Sequence, residues 1–139
     1  MSRLGESIRK SAKALFNSLP VLAGVVLLVG LANTLIPKSF YSSVFSKNMF
    51  VDSFIGSSLG SVLAGNPITS YVLGGEMLKQ GVSMIAVISF IVAWVTVGIV
   101  QLPAESIILG KRFALLRNLL SFVFAIFVAF TTVFVMGLL

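Results

Sequence analysis

The sequence predicts an all-α integral membrane protein in which two of the helices are broken at prolines, so that either can re-enter the bilayer instead of crossing it. Of its 139 residues, 58% are hydrophobic and 10% are charged, whereas a soluble domain carries roughly 25% charged residues. Apolar runs without acidic or basic residues reach the roughly 18 residues that indicate a transmembrane helix. These runs are 19–36, 82–102 and 119–139.

Charge and the missing residue types narrow the possible functions. The formal net charge is +6, but the basic residues flank apolar runs, which indicates membrane orientation and gives no support to a nucleic-acid partner. The chain has no cysteine and no histidine. It therefore lacks thiolate nucleophiles, disulfides, zinc–thiolate sites and the commonest general base. We predict a protein that is not an enzyme and uses no metal ion or cofactor.

Residues 1–17 form a basic segment in which Leu4, Ile8 and Leu15 recur at near-helical spacing. Such a segment either lies as an amphipathic helix on an anionic leaflet or acts as a basic tail that sets the topology. The apolar run behind it exceeds the roughly 7–15 residues of a signal-peptide core, so we interpret it as an uncleaved anchor. Basic residues favour the cytoplasm, which predicts a multi-pass plasma-membrane protein with a cytoplasmic N-terminus.

The remaining residues, 18–139, are expected to form a single transmembrane domain. Its first span, 19–36, has Ser18 as a candidate N-cap, Pro20 in the first turn and Pro37 just beyond the end. These residues predict a helix with well-marked boundaries.

Residues 38–50 predict a helix at the membrane interface, because apolar residues recur at helical spacing among serines and lysines. The next stretch, 51–80, is apolar but interrupted at Asn66-Pro67, where proline removes a backbone donor and disfavours helix in the residue before it. It is either a broken helix or a hairpin. Asn66 is a candidate cap for the helix that restarts there.

The second half of the domain repeats this arrangement. Residues 82–102 predict a span, a second interruption follows around Pro103, a short helix covers 103–112, and the last span is 119–139. A second basic cluster comprises Lys111, Arg112 and Arg117. If both basic clusters are cytoplasmic, 51–80 is a re-entrant hairpin open to the outside; if 51–80 crosses, the second cluster lies outside.

Small residues occur every four positions before the first interruption, at Gly56, Gly60 and Ala64. In a membrane, such a line lets two helices approach closely. It predicts a helix-packing face, either within the chain or between two copies.

The two interruptions are alike in sequence. When Pro67 is aligned with Pro103, proline, serine, leucine and glycine coincide over eight positions. Backbone groups freed inside a bilayer need protein, water or ligand as partners, so paired breaks predict a cavity; the alternative is a pair of ordinary proline kinks. The candidate pathway residues are Asn66, Pro67, Thr69, Ser70, Gln101, Pro103, Glu105 and Ser106.

Glu105 stands at the start of a restarted helix, where the helix dipole favours a carboxylate. It either carries a proton or a cation, or only satisfies free backbone N–H groups. Glu76 and Lys79 are expected to form a surface pair, and Asp52 is expected at the same membrane boundary as Lys47.

The order of these features resembles a known family. The segments that carry the resemblance are Gly65-Asn66-Pro67-Ile68-Thr69-Ser70-Tyr71, Lys79-Gln80-Gly81-Val82-Ser83 and Leu102-Pro103-Ala104-Glu105. Over roughly 57–118, the chain resembles the predicted permease family that includes the organoarsenical efflux permeases. The usual member has two related halves around a shared cavity, so the resemblance implies that this chain is one half and pairs with a second copy. The cysteines of the arsenical-transporting members have no counterpart, so thiol capture is not implied.

The sequence therefore predicts a permease-like transporter half, paired as a homodimer in the lipid bilayer, that moves an unidentified small solute or ion. The alternative is a non-transporting membrane subunit or assembly factor that packs against a larger membrane partner. An enzyme acting on lipid is disfavoured, because Glu105 would lack a catalytic partner.

Overall fold

The computed structural model describes residues 2–63 and 67–138, and all the regular structure within these residues is helical. The expected all-α fold is confirmed. The helices are α1 Arg3–Leu35, α2 Lys38–Val44, α3 Met49–Val62, α4 Pro67–Lys79, α5 Met84–Thr96, α6 Leu102–Leu109 and α7 Lys111–Leu138. They divide into two compact units, residues 1–36 and 37–139.

The first unit is one uninterrupted helix of 33 residues that contains Pro20 in its interior. The expected boundary between 1–17 and 19–36 is therefore wrong. Ser18 is an interior residue whose hydroxyl donates to the Ala14 carbonyl over 2.9 Å, so it does not act as an N-cap. A proline removes one backbone hydrogen bond from a helix, and the Ala and Leu residues on both sides favour continuation.

Two described helical segments are long and apolar enough to cross a membrane by length and composition, Arg3–Leu28 and Lys111–Leu138. The expected span 82–102 is not one helix, because α5 has 13 residues and ends at Thr96. At about 1.5 Å per residue, α5 is about 20 Å long, short of a hydrocarbon core of roughly 30 Å. The last helix begins at Lys111 instead of Leu119, and the expected short helix 103–112 ends at Leu109.

The core of the second unit is a close parallel pair, α3 and α5. Gly56 lies against the backbone of Ala86, and Gly60 lies one turn further on against the backbone of Phe90. Because both partners advance along the chain together, the two helices run in the same direction. The chain must therefore reverse between them.

Helix α4 makes that reversal. Gly74 lies beside Val87 and Ile91 of α5, while Met77, further along α4, packs against a cluster that includes the earlier residue Val82. The order is opposite, so α4 runs antiparallel to α5, and the chain reverses direction between α3 and α4.

Helix α7 runs antiparallel to both α3 and α5. The rings of Phe50 and Phe130 lie 5.0 Å apart, and those of Phe54 and Phe122 lie 5.5 Å apart. Two ends of the unit follow from these directions. We call the end with the interruptions around 63–67 and 97–101 the break end, and the end where α3 and α5 begin the Asp52 end.

The small-residue line predicted from the sequence lies inside the chain. A Cβ atom built on Gly56 or Gly60 would clash with a carbonyl oxygen of α5, so these glycines are not available as a contact between two copies. Ala64 lies outside the described residues. Of the two predicted roles, packing within the chain therefore applies to Gly56 and Gly60.

We predict that Gly60→Ala lowers the stability of the folded chain, because the added methyl group meets the backbone of α5. The expected loss is about 1–3 kcal/mol, as for overpacked cores, measured by the free energy of unfolding in mild detergent. Gly75→Ala is the matched control, since its Cβ would meet nothing within 4 Å. Equal effects of the two substitutions would contradict the close α3–α5 contact.

Candidate functional site

The two interruptions meet at one cavity of about 210 Å³ at the break end. Its lining combines the end of α3 and the start of α4 with the segment that joins α5 to α6. The lining residues are Leu63, Pro67, Trp94, Val95, Val97, Gly98, Ile99, Val100 and Gln101. Two of the predicted pathway residues, Pro67 and Gln101, are therefore brought to the same space.

The other predicted pathway residues lie outside this lining. Thr69 and Ser70 are buried in the first turn of α4, where the Ser70 hydroxyl donates to the Pro67 carbonyl over 2.5 Å. Pro103 is exposed on α6, and the Ser106 hydroxyl donates to the Leu102 carbonyl over 2.7 Å. Asn66 lies outside the described residues.

Glu105 is not part of the cavity lining, because its carboxylate is engaged by α7. Arg117 donates from Nη2 to Oε1 over 2.5 Å and from Nε to Oε2 over 3.2 Å. Asn118 donates from Nδ2 to Oε2 over 3.1 Å. The two-pronged contact with a guanidinium is among the stronger kinds of hydrogen-bonded ion pair. The negative charge of Glu105 is therefore matched inside the chain.

The same α7 residues also bind the backbone of α5 where its helix stops. The Asn118 side-chain oxygen accepts a hydrogen bond from the Gly98 N–H over 2.8 Å, and Arg117 donates to the Thr96 carbonyl over 3.2 Å. In a continued helix, these two backbone groups would bond within α5. Side chains of α7 therefore replace helical hydrogen bonds on both sides of the interruption.

We call Glu105, Arg117 and Asn118 the α7 clamp. Asn118 is 8% exposed, and its Nδ2 also donates to the Ala114 carbonyl over 2.9 Å. The clamp ties α5, α6 and α7 together, and it fixes where α5 ends.

Sequence reasoning missed Asn118 and treated Arg117 only as a topology charge. One signal could have identified both residues: Arg117 and Asn118 are adjacent and stand just before a long apolar run. A charged side chain and an amide at such a place are costly to bury without partners. Glu105 was the acidic residue in need of such partners. Glu105 lies 12 residues before Arg117 and 13 before Asn118, so no local pattern indicated that they pair.

A second polar site lies at the Asp52 end. Asp52 is 1% exposed, and its Oδ1 accepts from the Ser46 N–H over 3.0 Å while Oδ2 accepts from the Ser83 hydroxyl over 2.9 Å. A cavity of about 120 Å³ is lined by Tyr41, Ser42, Phe45, Lys47, Asp52, Gln80, Gly81 and Ser83. Asp52 and Lys47 both line this cavity, although Asp52 is buried and Lys47 is exposed.

Ser83 precedes the first residue of α5 and has the backbone of an N-cap, yet its side chain makes no capping hydrogen bond. Its hydroxyl serves Asp52 instead. Asp52 itself lies in the first turn of α3, so one carboxylate joins the N-terminal ends of the two parallel helices. The positive ends of both helix dipoles favour negative charge there.

Among the described residues, no group of three or more His, Cys, Asp and Glu side chains could hold a metal ion. Comparison with known proteins finds no matching family model, no matching curated protein and no matching solved structure. The two sites must therefore be interpreted from their own geometry.

We predict that Glu105 and Arg117 are energetically coupled through the clamp. Glu105→Gln and Arg117→Gln should each destabilise the chain, and the double variant should lose less than the sum. The expected coupling is about 0.5–3 kcal/mol, measured by unfolding in mild detergent. The exposed pair Glu6 and Lys10, 2.8 Å apart, is the matched control and should show weak coupling. Equally weak coupling in both pairs would contradict the clamp.

Proposed function

We propose that the chain is a permease-like half of a membrane transporter that moves a small solute. The observation that carries this proposal is the cavity shared by the two interruptions. Secondary transporters bring discontinuous helices together around a common site, where unwound backbone groups and half-helix ends contact the solute. Here α4 and α6 both start beside that cavity, at Pro67 and Leu102.

The membrane location is part of the proposal. Two helices have the length and composition for crossing, and large apolar side chains on α6 and α7 are exposed, with Ile107 at 86%, Ile108 at 79% and Phe134 at 68%. Lipid is the environment in which such faces are stable. With basic residues on the cytoplasmic side, the break end, which adjoins Lys111, Arg112 and Arg117, faces the cytoplasm, and the Asp52 end faces the outside.

The α7 clamp supports the same interpretation. Within hydrocarbon, each unpaired backbone group costs several kcal/mol, so an interruption persists only where protein, water or solute satisfies it. Arg117 and Asn118 satisfy Thr96 and Gly98. In the lining that follows, the carbonyls of Ile99 and Gln101 already accept backbone hydrogen bonds, so a polar solute would gain hydrogen bonds from the Gln101 side chain.

The clamp also changes what is expected of the solute. If Glu105 lined the pathway with a free negative charge, it would repel anions. Glu105 is neutralised by Arg117 and lies outside the cavity lining, so that repulsion is removed. We propose a small polar solute whose sign of charge is not restricted by Glu105.

A second copy is proposed to complete the pathway. The cavity of about 210 Å³ is below the roughly 300–1,000 Å³ of sites that enclose a drug-sized ligand. A shared cavity between two halves would enlarge it, in line with the half-length resemblance. Gly56 and Gly60 are excluded as the contact between copies, because they are covered by α5.

We predict that water reaches the cavity from the membrane surface. The chain has no cysteine, so single cysteines report cleanly. Gln101→Cys should react with a small charged thiol reagent in permeabilised vesicles that expose both membrane faces, as should the exposed control Lys47→Cys. Ile107→Cys, the most exposed apolar position of α6, should stay unreactive if it faces lipid. An unreactive Gln101→Cys beside a labelled Lys47→Cys would favour the kink-only alternative.

We predict that filling the cavity blocks solute binding. Purified protein is screened for a rise in Tm against divalent metals, oxyanions and amphipathic cations, and each hit is then tested for transport in proteoliposomes. Leu63→Trp, which lines the cavity, should abolish the response. Leu59→Trp, one turn earlier and equally exposed at 43%, is the control and should keep it. A chain that responds to no solute would favour the non-transporting subunit.

A further inference from the structure

The buried carboxylate at the Asp52 end has no role in the cavity at the break end. Asp52 is fully enclosed, and its two recorded partners, the Ser46 N–H and the Ser83 hydroxyl, are neutral donors. Among the described side chains, no lysine or arginine lies within ion-pairing distance of it. The charge is therefore balanced only by two hydrogen bonds and two helix ends.

The charged groups around the site do not supply the missing counter-charge. Lys47 lines the cavity but is exposed. On α4, Lys79 pairs with Glu76 over 3.4 Å, and α5 contains no charged residue. Removing a carboxylate from water costs several kcal/mol per ion unless an opposite charge accompanies it. The site is thus suited to a small cation.

The oxygen atoms present suit a hard monovalent cation. Each carboxylate oxygen of Asp52 uses one recorded hydrogen bond, and an ionised carboxylate has about four acceptor positions. Ser83, Ser42 and Gln80 add oxygen atoms to the lining, and oxygen ligands are those that hard cations take. One carboxylate balances a single positive charge, whereas a divalent ion would leave an uncompensated charge beside Lys47.

We infer that Asp52 binds a small monovalent metal cation, a sodium ion, in the cavity at the Asp52 end. Asp52 connects the α2–α3 link to the start of α5. Cation binding there would therefore change how tightly α3 is attached to α5. The role of this cation as the coupling ion rests on the proposed transport. The binding itself does not.

The test measures Tm of the purified full chain in mild detergent at one near-neutral pH, with sodium chloride against choline chloride at equal ionic strength. If sodium binds, Tm should rise and saturate, by roughly 3–6 °C at tenfold above the Kd. Asp52→Asn should abolish this response.

Two further variants keep the inference falsifiable if Asp52→Asn fails to fold. Ser83→Ala removes one oxygen ligand and should shift half-saturation to higher sodium. Glu76→Gln changes the acidic residue of the neighbouring α4 and should leave the response as in the wild type. A wild-type Tm that is indifferent to sodium, or an unchanged response in Asp52→Asn and Ser83→Ala, would show Asp52 to be only a structural link.

The outcome is separate from that of the transport experiments. The chain could show a cation response that depends on Asp52 and yet bind no solute in the cavity lined by Leu63. In that case the cation site would stand, and only its role in coupling would be contradicted. A solute response without a cation response would overturn the inference and leave the proposed function in place.

Discussion

The second unit depends on the close contact between α3 and α5. Gly56 and Gly60 allow two backbones to meet where any Cβ would clash, and this contact makes the helices parallel. Parallel neighbours in sequence require a reversal between them, which α4 provides, and the reversal places both interruptions at one end. The position of Asp52 beside Ser83 follows from the same alignment. A steric fact at two glycines therefore determines where each polar site lies.

Helices that stop in the middle of a packed unit need partners for the backbone groups they release. Unit 2 obtains them from α7, whose Arg117 and Asn118 bond to Thr96 and Gly98. Glu105 holds both side chains in place from α6. The interruption of α5 is thus a built feature with dedicated side chains, and it is unlike a kink that a proline leaves behind. At the proposed membrane location these hydrogen bonds would stabilise the structure more, because little water is present to replace them.

The sequence predicted the helical class, since this depends on composition. It placed the second interruption too late, around Gln101 to Glu105, because Pro103 shows where a helix can restart and says little about where the preceding one ends. That end depends on Asn118, which lies 20 residues from Gly98 along the chain. At Pro20 the error was the opposite one. The sequence predicted the start of a helix there, whereas α1 continues through the proline.

The two polar sites lie at opposite ends of one rigid element. Helix α5 begins at the Ser83 link to Asp52 and ends at the backbone held by the α7 clamp. Its close contact with α3 leaves little room for sliding, because a shift along the helix would drive the Gly56 and Gly60 faces into carbonyl oxygens. The close contact therefore holds α3 and α5 as one unit between the two polar sites. Coupling between sites requires such an element with two arrangements, and this pair is the part of the chain best placed to be one.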